Sequence, residues 1–359
     1  MRIALPPGPP PPSRSPELLL LAGTMLAVFG LLAGAEGISR AADPRYLDRE
    51  RGIMVYSEAY GWALRPGYRG LLHDVWTSVD SHGHRGREHR LERTPGRTRL
   101  LVLGDSIAFG SRVRDEETFC ALLESRSRTY DVLNLAVEGY GTDQELLRLE
   151  GEGLAYRPDA VILSFALAND LVNNASWCND PGGGAPKPYF TLEGEKLVLH
   201  DEQVRLSPLR RVTQWLRDDS HLYNRLFGAP PINAPALGTT LAPQVRLDHL
   251  TARRVTLALL RRTSTVARGA GARLLVLLQP DERAFRGRMP FEARLREGLE
   301  EAGIPFVDLA ERGRAAGLTF DAISLDQQGH LTPLGHRFVA EQVEAALVDL
   351  LARPALGPG

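Results

Sequence analysis

The chain has 359 residues, and its 43 Lys and Arg against 44 Asp and Glu leave a formal net charge of -1. That balance excludes a chain-wide electrostatic reason to bind nucleic acid, and the length suffices for one large core or two modest domains. Two cysteines exclude a disulfide scaffold, and the glycines and prolines follow no period, which excludes a repeat protein.

Residues 1-17 form a proline-rich tail that cannot make a regular helix. Residues 18-37 follow as an apolar run, free of charge from Leu18 to Ala35 and preceded by Arg2 and Arg14. The pattern predicts a signal anchor or a signal peptide, with the rest of the chain exported. Arg40 and Arg45 weaken the charge asymmetry, and the small residues at Ala33 to Ala35 would suit cleavage. The run's length and the long leader favour retention in the membrane, and a buried helix of a soluble domain is the bland alternative.

Residues 38-98 read as a preface of short aromatic and β-prone pieces that packs on the domain after it. His82, His84 and His89 lie there among arginines without an HExxH pattern, so they are read as surface or subsite residues and no metal site is assigned. Cys120 and Cys178 lack metal-ligand spacing; one bridge or two buried thiols both fit.

From Arg99 the spacing predicts an α/β domain, a three-layer α/β/α sandwich with a central parallel sheet. Strand candidates are LLVLG from Leu100, YDVLNLAV from Tyr130, AVILSFALAND from Ala160, ARLLVLLQP from Ala272 and IPFVDL from Ile304. An amphipathic helical piece runs through Leu123, and a charged helical stretch runs through Tyr156. Ser106, Gly139 and Asn169 each follow one of the first three strands, so they can converge at one sheet edge although far apart in the chain. The domain is drawn as 99-355, with an insertion at about 171-250 containing PGGGAPKP, a hairpin-like YFTLEGEKLVLH and PPINAPALGTTLAP. The insertion reads as a lid or as irregular packing; its Trp177, Trp215, Tyr223 and Phe227 suit a groove, a core or a membrane face.

Four ordered blocks, GDSIAFG, NLAVEGYGTDQE, ALANDL and DQQGHLTPLGHRFVAE, resemble the SGNH hydrolase family, the GDSL esterases and lipases. The resemblance covers most of Arg99 to Leu351 and implies the flavodoxin-like fold of that family. It implies Ser106 as nucleophile, His330 as general base, and an oxyanion hole from the N–H groups of Ser106 and Gly139 and the side-chain amide of Asn169. The segment SVDSHGHRGRE is a looser match to what precedes this domain in exported or membrane-associated relatives.

The chemistry follows from the residue types. A serine hydroxyl is protonated at neutral pH and needs an imidazole to take its proton as it attacks an ester carbonyl. Amide donors at a helix N-terminus then stabilise the oxyanion. Each residue also has a plain structural reading: Ser106 as helix cap, Gly139 as turn glycine, Asn169 as strand-end cap. Asp105 and Asp170 are expected to brace their turns, and His336 to be structural. The family places an aspartate three residues before the histidine, where this chain has Gln327; Asp326, four before, is taken as the third member of the triad, with Asp321 further back. A Ser-His dyad is the alternative should neither carboxylate reach the imidazole.

These readings predict a serine esterase acting on an O-acyl or O-acetyl ester, with no metal or organic cofactor. Its partner is a small-molecule ester, an acylated glycan or a lipid, with the membrane contacted through the N-terminal segment and no nucleic acid. A polar groove near His82, Arg85 and Arg87 would favour a glycan, and an exposed lipid cleft a lipase or lysophospholipase. A glycan O-acyltransferase and a noncatalytic carbohydrate-binding protein are the other classes. The sequence leaves oligomeric state open.

Overall fold

The computed structural model describes residues 16–127, 129–178, 185–228, 249–287 and 290–352. The proline-rich tail as far as residue 15, the glycine run of PGGGAPKP and the PPINAPALGTTLAP segment lie outside the described residues. Helix α1, Pro16–Ala42, opens on a proline, which is tolerated at a first helical position because its missing N–H has no helical partner there.

Five strands make the central sheet: β1 (Thr98–Gly104), β2 (Tyr130–Asn134), β3 (Ala160–Ala166), β4 (Arg273–Gln279) and β5 (Phe306–Asp308). Their order is β5-β4-β3-β1-β2, and every neighbouring pair is parallel, as the strand spacing predicts. Both faces are buried, so the strands read as continuous apolar runs whose side chains alternate between two cores. Leu100, Val102, Ile162, Leu275 and Leu277 enter one core, and Leu101, Leu103, Val161, Leu163, Val276 and Leu278 enter the other. Truncating one of these leucines to alanine is expected to cost about 2–5 kcal/mol, because the close-packed layers leave a cavity.

Helices close both faces. The segment after β1, expected as one amphipathic helix, is broken into α2 (Ser106–Phe109), a 3-10 turn at Asp115–Glu117 and α3 (Phe119–Arg126). The break has local causes: Gly110 caps α2 in a left-handed conformation, and the Thr118 side chain starts α3 by accepting from the Ala121 N–H. Helix α4 is Thr142–Gly151. In the insertion, the strands Tyr189–Glu193 and Lys196–His200 pair as the expected hairpin, followed by α5 (Pro208–Asp219) and α6 (His221–Phe227). Helices α7 (His249–Gly269), α8 (Pro290–Glu301) and α9 (Pro333–Ala352) complete the layers. Phe338, Val339, Val343 and Leu347 of α9 join the first core, and Leu260, Leu295 and Leu299 of α7 and α8 the second.

The preface folds as two hairpins, Met54–Ser57 with Gly61–Leu64 and Arg69–Leu72 with Val75–Ser78. It joins the first core through Trp62, Leu64, Tyr68 and Val79, and the Tyr140 hydroxyl donates to the Trp62 carbonyl at 2.6 Å.

Candidate active site

Strand β1 delivers Ser106 through a turn that tolerates no side chain at Gly104. A Cβ there would meet the Ala108 Cβ at 2.6 Å and the Ser164 Cβ at 3.0 Å. Asp105 then starts α2, its Oδ1 accepting the Ile107 N–H at 2.9 Å, and Ser106 is the first helical residue. Arg85 of the preface holds the other end of the same helix. Its guanidinium donates to the carbonyls of Phe109 at 3.0 Å, Gly110 at 2.7 Å and Val113 at 2.7 Å, and lies 4.3 Å from the Phe109 ring centroid. A cation on the last carbonyls of so short a helix supplies the stability its length cannot.

His330 arrives from the loop between the helical turn Phe320–Ile323 and α9. Its Nε2 lies 2.9 Å from Ser106 Oγ, and its Nδ1 lies 2.8 Å from Asp326 Oδ2. A tight turn makes the four-residue spacing work. Asp326 Oδ1 accepts the N–H groups of Gln328 at 3.1 Å and His330 at 3.4 Å, while the Asp326 carbonyl accepts from the Gly329 N–H at 3.2 Å. Gln327, at the position the family pattern would give to the carboxylate, is exposed, and its carbonyl accepts from the Glu282 N–H at 3.1 Å. Asp321 is exposed on the preceding turn.

Burial alone would raise the Asp326 pKa, but the hydrogen bond and charge of His330 and two backbone N–H groups outweigh it and hold the carboxyl below its usual range. An ionised carboxylate only accepts, so it selects the tautomer with the proton on Nδ1 and leaves Nε2 free to accept from the serine hydroxyl. Arg112, which the sequence reading did not single out, pairs with the same Asp326 oxygen at 3.0 Å. Ser106, His330 and Asp326 are each half-buried, so the three form a connected chain that still meets solvent.

The second and third strand ends close on the same place. The Val137 N–H donates to the Gly104 carbonyl at 3.0 Å, and Gly139 turns with φ 79°, a left-handed conformation that favours glycine. Glu138 accepts from the Ser111 hydroxyl just after α2. Asn169 donates one Nδ2 hydrogen to Asp105 Oδ2 at 3.0 Å, which leaves a second hydrogen on the same nitrogen for another acceptor. Asp170 Oδ2 accepts the Ala166 N–H at 2.8 Å and so braces the end of β3.

Behind this loop lies a group of buried carboxylates, Asp105, Asp143, Glu145 and Asp170, drawn from three of the motif blocks. Neither oxygen of Glu145 finds a hydrogen-bond partner among the described residues. Burial, then Asp105 and Asp143, push its pKa well up; burial, then Glu145 and Asp105, do the same for Asp170. Asp143 is paired with the buried Lys187 of the insertion, which ties that segment to the first turn of α4.

The preface corrects one expectation. His84 and His89 are buried rather than surface residues, because the preface packs into the sheet layer; of the three, His82 alone is exposed. Of the three residues whose polar groove would favour a glycan, Arg85 is buried on the end of α2, while His82 and Arg87 are exposed, Arg87 paired with Glu124 and Asp131. Asp80, His82 and Glu88 gather closely, as do His89, Glu124 and Asp131. In the second group the carboxylates already face Arg87 and Arg99, which leaves little net negative charge for a cation. His336 is buried and accepts the Phe119 N–H at 3.2 Å, and burial, reinforced by Arg85, pushes its pKa down to about 3. Cys120 and Cys178 are both buried and are not joined to each other.

Residues 102–338 match the family model of the GDSL-like lipase/acylhydrolase family, more than half of the chain. The chain belongs to this family. It is therefore a serine hydrolase acting on esters, on the α/β fold described above. A comparison with the curated proteins finds no significant match. Among solved structures, TesA is similar at 16% identity with a TM-score of 0.42, over 70% of this chain and 99% of its own. An acetylxylan esterase from Geobacillus stearothermophilus, in a catalytic-mutant form, is similar at 16% identity and a TM-score of 0.39, over 71% and 94%. The psychrotrophic esterase EstA from Pseudoalteromonas sp. is similar at 12% identity and a TM-score of 0.40, over 71% and 100%.

Proposed function

We propose that this hydrolase cleaves an O-acyl or O-acetyl ester through an acyl-enzyme on Ser106. The observation that carries the reading is the chain of contacts from Ser106 Oγ to His330 Nε2 at 2.9 Å and from His330 Nδ1 to Asp326 at 2.8 Å. As Ser106 Oγ bonds to the ester carbon, its proton passes to His330 Nε2, and Asp326 stabilises the imidazolium. The negative charge moves to the carbonyl oxygen, where the Ser106 and Gly139 N–H groups and the second Asn169 amide hydrogen donate to it. The C–O bond to the alcohol breaks as His330 returns the proton to it. Water then repeats the sequence on the acyl-serine, losing its proton to His330 and releasing the acid and the serine.

The same reading sets the catalytic domain outside the cytoplasm, anchored by α1 or secreted if the segment is cleaved. Helix α1 supports it: it is long and apolar enough to cross a bilayer, with a mean hydropathy of 2.3 over a window that buries nothing. Length and composition are its only warrants, and a signal sequence has the same ones.

The test is hydrolysis of p-nitrophenyl acetate and longer acyl esters by the chain and by its Ser106→Ala variant, with the acylated protein detected by mass. Serine-dependent turnover with one acyl group on Ser106 is expected, and the chain-length profile ranks acetyl against longer esters. A folded chain with neither turnover nor adduct would move the reading to a transferase that needs its own acceptor, or to a binding protein.

A further inference from the structure

Helix α5 is amphipathic in the opposite sense to a helix of a soluble domain. It turns a carboxylate inward: Asp218 is buried, its Oδ2 accepting the Tyr56 N–H at 3.2 Å and the amide of half-buried Gln214 at 3.0 Å, while Arg211 stays exposed and pairs with Glu58 at 2.6 Å. Its apolar side faces out, with Leu209 76% exposed, Val212 54% and Trp215 57%. Helix α6, which follows directly, leaves Leu226 exposed at 65% and Phe227 at 70%. Three large apolar side chains at one-turn spacing, left outside while a carboxylate is taken in, cost free energy in water unless something apolar covers them.

The joint between the two helices is clamped to the base of α1. The Glu36 carboxylate caps α6, accepting the Ser220 hydroxyl at 2.8 Å and the N–H groups of His221 at 3.0 Å and Leu222 at 2.8 Å. Arg225 donates to Ser39 Oγ at 2.9 Å, and Arg40 to the Asp219 carbonyl. The charge-free run of α1 ends at Ala35, one residue before Glu36, so at about 1.5 Å of rise per residue the clamp begins within a turn of the apolar span's end. Trp215 and Phe227 are among the apolar aromatic types found on helix faces that lie in a bilayer's interface.

We propose that the outer face of α5 and α6 is a bilayer-docking surface, lying flat on the leaflet that α1 enters and holding the catalytic domain at a set height rather than on a loose tether. The proposal rests on the reading of α1 as a membrane anchor. The test reconstitutes the full chain in vesicles of phosphatidylcholine and phosphatidylglycerol with acyl chains brominated, which quench tryptophan on contact. The chain is compared with its Trp215→Phe variant, which keeps the apolar surface and whose fold is checked by its esterase activity. Trp76, exposed on the preface strand Val75–Ser78, serves as a second surface tryptophan, outside α5. Most of the bromolipid quenching is expected to disappear with Trp215. Equal quenching in both proteins, or none, overturns the docking, and a self-association that buries Trp215 would give that result. Alkaline carbonate extraction of the same vesicles reads the anchor separately: a chain that resists extraction with Trp215 unquenched is anchored but not docked, and one that is extracted yet quenched at Trp215 docks without an anchor.

Discussion

The Asp105 carboxylate holds both sides of the reaction centre: Oδ1 takes the Ile107 N–H at 2.9 Å and Oδ2 takes the Asn169 amide at 3.0 Å. One buried side chain thus sets the turn that carries Ser106, the proposed nucleophile, and the orientation of the amide proposed for the oxyanion hole. Replacing Asn169 by alanine is expected to lower kcat by about 10²–10³, as for the loss of one oxyanion donor. Asp105→Ala is expected to approach that loss in kcat with KM little changed, because the amide is then free to rotate. An Asp105→Ala protein with full kcat would show that Asn169 is held by other contacts.

Asp326 is expected to matter less than Ser106 or His330. Its carboxylate orients the imidazole but forms no bond to the substrate, so Asp326→Ala retains more kcat/KM than Ser106→Ala or His330→Ala. Asp326→Asn is expected to lose about 10⁴ in kcat, because its amide can donate to Nδ1 and place the imidazole proton on Nε2, facing the serine. Kinetics on one ester across the four variants checks this, and Asp326→Ala activity equal to that of the unchanged chain removes Asp326 from the triad.

Glu145 makes stability depend on pH. Its folded pKa is raised above the ordinary 4.5 by burial and neighbouring carboxylates, so the folded chain holds a proton that the unfolded chain releases. The stability this contributes is complete below pH 4.5 and falls as pH rises toward the folded value. Glu145→Gln carries no such proton, so its Tm relative to the unchanged chain is expected to climb as pH rises above 4.5, by about 2–4 °C per kcal/mol. A Tm difference that stays flat across that range would mean that Glu145 is already ionised in the fold.

Lys187 and Asp143 form an ion pair with both side chains fully buried. Lys187→Met strands the carboxylate and is expected to cost about 3–5 kcal/mol, read as a drop in Tm. Asp143→Asn on the same chain removes the stranded charge and is expected to recover most of the loss. A double variant no better than Lys187→Met alone would place the cost in packing rather than in charge.

The amino-acid sequence by itself determined the family, the parallel sheet and the order in which Ser106, Asn169 and His330 are delivered. Those features are written in local patterns: apolar runs long enough for strands, small and polar residues at their ends, and four motif blocks in fixed order. Tertiary structure decided what depends on distance across the chain. Whether Asp326 reaches His330 with one residue more than the family spacing turns on the conformation of residues 326 to 330, where backbone N–H groups fold back on the carboxylate. That Arg85 is a buried clamp rather than a groove residue depends on the preface meeting the far end of α2. The outward face of α5 was not legible: the insertion read as a lid or as irregular packing, with Trp215 and Phe227 suiting a groove, a core or a membrane face, since a sequence does not show which way a side chain points. Direction is set by what the polar side finds to pair with, and here Asp218 and Gln214 find it inside.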